Sequence, residues 1–152
     1  MAASIIVAVR SALVTGLATA IAADGGMADV EVSFQWKADW QRRERIWTRN
    51  ARFTHAPASM RSGRNFRSEV GMFEVAILVE GIGRNAEWSA TRALVIGQVV
   101  EQYIADRKNN ELAVAGLQTL TVSGDGSLTE MFNDQGTLAE LSYPIQYTAR
   151  LT

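Results

Sequence analysis

In two stretches of the chain the apolar residues recur at the spacing of a helix. In the other regular segments they recur at every second position, as in a strand. The first stretch has an apolar residue at every fourth position from Ile5 to Ile21, with Asp24-Gly25-Gly26 just beyond it. Such a stripe covers one face of a helix, and glycine accepts the left-handed conformation that ends one. The second stretch, Trp88 to Tyr103, follows Asn85, whose side chain can cap a helix. The sequence therefore predicts two amphipathic helices.

The remaining patterned segments alternate apolar and polar residues, as half-buried strands do. The predicted strands are Val30 to Trp36, Arg43 to Phe53, Val70 to Gly81, Leu117 to Val122, Ser127 to Phe132 and Thr137 to Leu151. Pro144 cannot donate to a ladder, so we expect an edge or a bulge there. The order α-β-β-β-α-β-β-β predicts an α+β fold with two helices packed on a mainly antiparallel sheet. At 152 residues, one domain spanning residues 1–152 is expected.

The apolar N-terminal stretch has alternative interpretations. It ends in Ala20-Ile21-Ala22-Ala23, which resembles a signal peptidase site. However, the first charged side chain is Arg10, inside the apolar stretch, whereas a signal peptide begins with its positive charge. Arg10 and Gly16 also weaken a membrane span. A packed helix from Ala3 or Ser4 to Ala23 is therefore favoured, and no membrane partner is expected.

The basic residues are concentrated in one part of the chain. The segment from Lys37 to Arg67 holds nine of the fifteen Lys and Arg residues and two acidic ones, so its net charge is +7. The other 121 residues hold six basic and fourteen acidic residues, a net charge of −8. The stretch from Thr54 to Glu69, which overlaps the end of this segment, contains Pro57, Gly63 and several Ser and Arg residues, and it predicts a long loop between the second and third strands. A surface of this kind favours contact with another macromolecule over bond chemistry.

Candidate catalytic and ligand-binding residues do not converge. His55 is the one histidine, the chain has no cysteine, and a solvated or interface histidine in the predicted loop is favoured over a catalytic base or a zinc ligand. Asp125 and Asn133-Asp134 fit turns better than calcium loops, because the closing glutamate is missing. Gly81-Ile82-Gly83 fits a strand-to-helix turn better than a phosphate-binding loop, because further βαβ units are lacking. The sequence therefore predicts a protein that is not an enzyme, with neither metal nor cofactor.

The arginine-rich segment from Asn50 to Glu69, here called the basic arm, has three interpretations. It can be a solvated face, although so many neighbouring cations repel one another. It can be a nucleic-acid surface, since aromatic residues that could stack on bases lie near it: Trp36, Trp40, Trp47, Phe53 and Phe66. It can also be an interface, because the rest of the same chain is acidic. A head-to-tail ring, in which each basic arm lies on the acidic body of its neighbour, is favoured.

The order of elements, with its long connection between the second and third strands, resembles the tail terminator proteins of long-tailed bacteriophages. The resemblance spans nearly the whole chain and rests on pattern rather than on a signature motif. The parts that carry it are the opening helix Ser4 to Ala23, the strand Val30 to Trp36, the hairpin around Asn50 to Glu69, the step Phe73 to Tyr103, and the closing strand ending Tyr147-Thr148-Ala149-Arg150-Leu151-Thr152.

The resemblance implies a structural virion protein that caps the phage tail tube as a homohexameric ring and joins it to the head–neck connector. Its expected partners are copies of itself, the tail tube protein and the connector protein, with genomic DNA passing through the lumen. Its expected location is the tail or neck of the virion, after assembly in the host cytoplasm. The predicted inter-subunit or inter-ring contacts are Arg49, Arg52, Arg61, Arg64 and Arg67. The alternatives are a head-completion or neck protein of similar fold and a small nucleic-acid-binding module that uses the basic arm.

Overall fold

The structure, a computed structural model, describes residues 3–57, 67–107 and 111–151. Its helices and strands are α1 (Ile6–Ala23), β1 (Val30–Val32), β2 (Glu44–Pro57), β3 (Arg67–Ile82), α2 (Ala86–Ala105), β4 (Leu117–Val122), β5 (Ser127–Asn133) and β6 (Gly136–Leu151). A short 3-10 helix, Gly25–Met27, connects α1 to β1. The α+β class and the order of elements are as predicted.

The strands form a six-stranded sheet in the order β1-β2-β3-β6-β4, and β5 also pairs with β6. The C-terminal half of β6 pairs with β4, and its N-terminal half, Gly136 to Ser142, pairs with β5. Therefore β4 and β5 follow one another along the same edge of the sheet. All pairs are antiparallel except β1 with β2, and β1 covers only Glu44 to Ile46 of β2.

Both helices pack on one face of the sheet and form one core with it. The α1 stripe, Ile6 to Ile21, meets the inward side of β3, Phe73 to Val79, and the buried side of α2. Gly97 lets α2 approach β6 closely, because a Cβ atom at this position would lie 2.7 Å from a methyl carbon of Leu141. We call this side of the sheet the helix face and the opposite side the outer face.

The structure confirms a packed α1. The helix begins at Ile6, and just before it the Ser4 hydroxyl and the Ile5 amide donate hydrogen bonds to Glu69. Its length and composition would also suit a membrane span, and α1 is the one helix of the described ranges with that property. Here its apolar stripe lies in the core.

Two predicted boundaries need correction. The first strand was expected to reach Trp36 but ends at Val32, because Trp36 instead packs with other tryptophans on the outer face. The predicted loop from Thr54 to Glu69 was wrong at both ends, since β2 continues to Pro57 and β3 starts at Arg67. Residues 58–66 of that prediction lie outside the described part of the chain.

The expectation of an edge or a bulge at Pro144 is met by a local edge, a gap in the pairing along one side of β6. Pro144 lies in β6, between other strands, and pairs with Glu74 of β3. Its carbonyl accepts a hydrogen bond from the amide of Ser123, so its ring nitrogen faces the same side. That side is the gap where the partner of β6 changes from β5 to β4, and no ladder bond is lost there.

Candidate assembly surfaces

The strand order separates the charged segments of the sequence. The basic segment supplies β2, whose edge is open only beyond Thr48, because the Phe34 carbonyl accepts from the Thr48 amide and Arg10 donates to the Thr48 carbonyl. The opposite edge is built from β4 and β5, within a stretch from Glu111 to Glu140 that contains five acidic residues and no Lys or Arg. The basic segment and this stretch without Lys or Arg therefore supply opposite edges of one sheet, while Glu140, in β6, pairs with Arg49 of the basic segment.

Arg49, predicted as an inter-subunit contact, is bound within its own chain. Its guanidinium lies 2.7 Å from a carboxylate oxygen of Glu140 and 3.7 Å from one of Glu74, across the outer face. It also lies 5.8 Å from the ring centre of Trp47. This arrangement ties β2 to β3 and β6, so much of the Arg49 charge is neutralised inside the subunit.

Arg52 differs from Arg49 because a bulge separates the two positions in β2. Asn50, inside the bulge, adopts a φ of 54°, and the Arg52 side chain follows on the exposed outer face. Its guanidinium contacts the sulfur of Met72 at 3.5 Å and forms no ion pair within the described ranges. Arg52 therefore offers an uncompensated charge on the arm.

Of the other three predicted arginines, the structure describes only Arg67. Arg67, at the start of β3, lies with a guanidinium nitrogen 2.6 Å from Nδ1 of His55. Arg61 and Arg64 fall outside the described residues. Of the predicted contact set, the structure thus places Arg49, Arg52 and Arg67 on the β2–β3 hairpin, but along different parts of its length.

A fully buried carboxylate, Glu69, organises the base of the basic arm. It accepts hydrogen bonds from the Ser4 hydroxyl at 3.0 Å, from the Ile5 amide at 3.2 Å and from the Tyr147 hydroxyl. Its second oxygen contacts Nε2 of His55. Because α1 has no side-chain cap of its own, Glu69 supplies the negative charge that favours a helix N-terminus. His55 is therefore a strand residue in a buried network, not the loop residue that the sequence suggested.

The pKa of Glu69 reflects two opposing effects. Burial by itself disfavours the charged carboxylate, but hydrogen bonds from Tyr147, His55, Ser4 and the Ile5 amide outweigh it and lower the pKa. Conversely, burial and the bond to Glu69 raise the pKa of Tyr147. At neutral pH the network therefore holds an ionised glutamate and a neutral tyrosine.

Three tryptophans cover part of the outer face. Trp36 lies 4.9 Å from Trp47 and 5.5 Å from Trp40, measured between ring centres. Arg45 and Lys37 lie over this group at 5.5 Å from Trp36 and 5.2 Å from Trp40, respectively. Trp47 is only 5% exposed, whereas Trp36 is 48% exposed. Most of this aromatic surface is used inside the subunit, which limits the base-stacking surface that the sequence suggested.

The ion pair between Arg92 of α2 and Glu44 of β2 was missed from the sequence. Arg92 donates to both carboxylate oxygens, at 2.6 and 2.9 Å, and a further guanidinium bond reaches the carbonyl of Gly26. The bond with Glu44 is the main cause that raises the pKa of Arg92. No local signal links positions 48 residues apart, so only the fold reveals this pair.

The acidic edge strand β5 was predicted as a strand but not as a surface. Every residue of β5 is exposed, including Leu128 and Met131, and Phe132 is 88% exposed. The register with β6 places Leu128, Glu130 and Phe132 on the helix face. Asp125, Glu130 and Asp134 form no ion pair within the described ranges. The sequence feature that could have indicated this acidic surface is the long stretch without any Lys or Arg, Glu111 to Glu140.

The candidate chemical groups are occupied by structural contacts. The side chain of Asn133 accepts from the amides of Gln135 and Gly136, as a turn requires. Residues 3–57, 67–107 and 111–151 contain no group of three or more residues arranged to hold a metal ion.

Comparison with known proteins gives a structural similarity. No protein-family model and no curated protein matches the chain. Among solved structures, it is similar to a chain from the virion of a native gene transfer agent particle, with a TM-score of 0.58 and 12% sequence identity. The similarity covers 95% of this chain and 98% of that chain. At this identity it establishes the fold, over nearly the full length of both chains.

Proposed function

We propose that this protein is a structural virion protein that closes the end of a phage tail tube as a ring and joins it to the head–neck connector. The fold similarity supports a virion role, because a chain of nearly the same extent is part of a gene transfer agent virion. The tail-cap role also draws on the pattern of elements that resembles tail terminator proteins.

The single observation that carries the ring is the separation of charge across the sheet. A subunit with a basic edge and an acidic edge is complementary to a second copy in head-to-tail orientation. Head-to-tail contacts close into a ring when the rotation from one subunit to the next is a whole-number fraction of a full turn. The resemblance to tail terminator proteins implies a homohexameric ring. The same charges resist pairing of two like edges.

The mechanism is geometric and involves no bond chemistry. Each subunit uses its basic arm toward a neighbouring subunit or ring, and the closed ring covers the surface that the next tube subunit would need. The opposite face of the ring then meets the connector, and the genome passes through the lumen. Arg49 stabilises the hairpin that carries the arm, while Arg52, Arg61, Arg64 and Arg67 provide the charge that a partner meets.

Charge reversal on the arm tests this proposal. Arg61→Glu with Arg64→Glu should leave a folded monomer but impair ring formation and tail joining, measured by light scattering and by micrographs of assembled particles. Arg84→Glu with Arg107→Glu makes the same charge change outside the arm and serves as the control. Wild-type assembly by the arm variant would count decisively against the proposal.

A second function, nucleic-acid binding, is favoured by one observation. Next to Arg52, which forms no ion pair with the described residues, Phe53 is 49% exposed and could stack on a base. This function predicts affinity for generic DNA that falls by roughly 0.9 log units per log unit of salt for each neutralised phosphate. A titration at two salt concentrations separates it from a ring that binds no DNA. A head-completion or neck role is separated by locating the labelled protein relative to the tail tube.

A further inference from the structure

The β5 strand is an open sheet edge with an unusual combination of side chains. It pairs only with β6, so one row of its backbone donors and acceptors has no strand partner in the described part of the chain. Unprotected edges of this kind are templates for strand pairing with another chain. Glu130 is the one charged residue among its seven. If Glu130 served only to prevent strand pairing at this edge, the exposed Phe132 on the same strand would have no explanation.

The apolar side chains of β5 lie where a partner could cover them. Leu128 and Phe132 share the helix face of this edge, and α2, which contacts β5, carries the exposed Leu94. Phe132 is the most exposed of the large apolar side chains described, at 88%. An aromatic residue of this size in the centre of a contact is a common anchor of protein interfaces.

The charge around this edge is of one sign. Asp125 and Asp134 lie in the turns on either side of β5, and Glu130 lies within the strand. Glu87, in the first turn of α2, adds a fourth acidic side chain without an ion pair in the described ranges. A partner that buries Phe132 must therefore bring basic residues with it.

We infer that the β5 edge, with Phe132 as its apolar anchor, is the acceptor surface for the basic arm of a second copy of this chain. The described part of that arm has the matching features: β2 is an open edge beyond Thr48, Arg52 is exposed and forms no ion pair with the described residues, and Phe53 is half exposed. This inference rests on the proposed ring and names the surface that closes it. Pairing of β2 with β5 would continue the sheet from one subunit to the next.

Substitutions on the acceptor edge test the inference in the full chain. Phe132→Ser, and separately Glu130→Lys with Asp134→Lys, should each raise the protein concentration needed for assembly at least tenfold, measured by sedimentation. Val7→Ser is the matched control, since Val7 is 61% exposed on α1, and it should assemble like the wild type. Circular dichroism should show each variant folded, because the changed side chains are exposed.

Mixing reversed variants provides a second readout. Arg52→Glu alone should assemble poorly. Equal amounts of it and of the Glu130→Lys/Asp134→Lys variant should assemble together, because the acidic arm of one variant then meets the basic β5 edge of the other, and the basic arm meets the acidic edge. If the wild type forms rings and all β5 variants do so equally well, the inference is overturned while the ring remains. If the wild type neither self-associates nor binds a tail tube, the inference and the proposed function are both overturned.

Discussion

The hydroxyl of Tyr147 should stabilise the fold through one charged hydrogen bond, and Tyr147→Phe measures it. The substitution keeps the aromatic ring of residue 147, which packs against Gly71. A Cβ atom added at Gly71 would lie 2.1 Å from the Tyr147 ring. It removes one donor from the ionised Glu69, and a hydrogen bond to a charged group contributes about 1.5–3 kcal/mol. Glu69 keeps Ser4, Ile5 and His55 as partners, so a loss of about 2 kcal/mol is expected at pH 7.

This loss should depend on pH in a defined direction. The pKa of Glu69 is lowered from its ordinary 4.5 in the folded protein. A group with a lowered pKa contributes its stability above the ordinary value and loses it as the pH falls through the folded value. The difference between wild type and Tyr147→Phe should therefore be full at pH 7 and should shrink as the pH falls below 4.5 and through the lowered pKa of folded Glu69, where the carboxylate becomes protonated.

Urea denaturation at pH 7 and at a pH below the lowered pKa of Glu69 is the assay. Tyr143→Phe is the matched control in the same strand, because the Tyr143 hydroxyl forms no hydrogen bond with the described residues; a change below about 0.5 kcal/mol is expected for it. A Tyr147→Phe loss that is equally small, or that is the same at both pH values, would refute the assignment of a charged bond to this pair.

Two further substitutions test packing away from the arm. Arg92→Ala should cost about 3 kcal/mol in the free energy of unfolding, because it leaves Glu44 buried without its partner, and Arg92→Leu combined with Glu44→Leu should recover part of that loss. Denaturant titration of the three proteins checks both statements, and equal losses would contradict them. Gly71→Ala should lower the free energy of unfolding by about 1–3 kcal/mol, because the added Cβ atom clashes with Tyr147. Gly25→Ala has nothing within 4 Å of the added Cβ atom and should leave the melting temperature unchanged. Thermal melting of both variants checks this.

Most secondary structure was predictable because its signals are local. The stripe from Ile5 to Ile21 gave α1, and Asn85 accepts a hydrogen bond from the amide of Trp88 as a helix cap should. The turns flanking β5 were also recognised from glycine, Asn and Asp. The errors at Trp36 and His55 have a common cause. Both residues gain more from partners distant in sequence than their local pattern reveals.

The sequence by itself determined the helices, the strands and the amount of charge of each sign, since these depend on neighbours within a few residues. Only the tertiary structure decided that Glu69 would meet Ser4 and Tyr147, 65 and 78 residues away along the chain. It also decided that the basic and acidic segments would lie at opposite edges of one sheet. The reason is that strand order is set by which apolar faces pack together in space, and the spacing of residues along the chain carries no record of that choice.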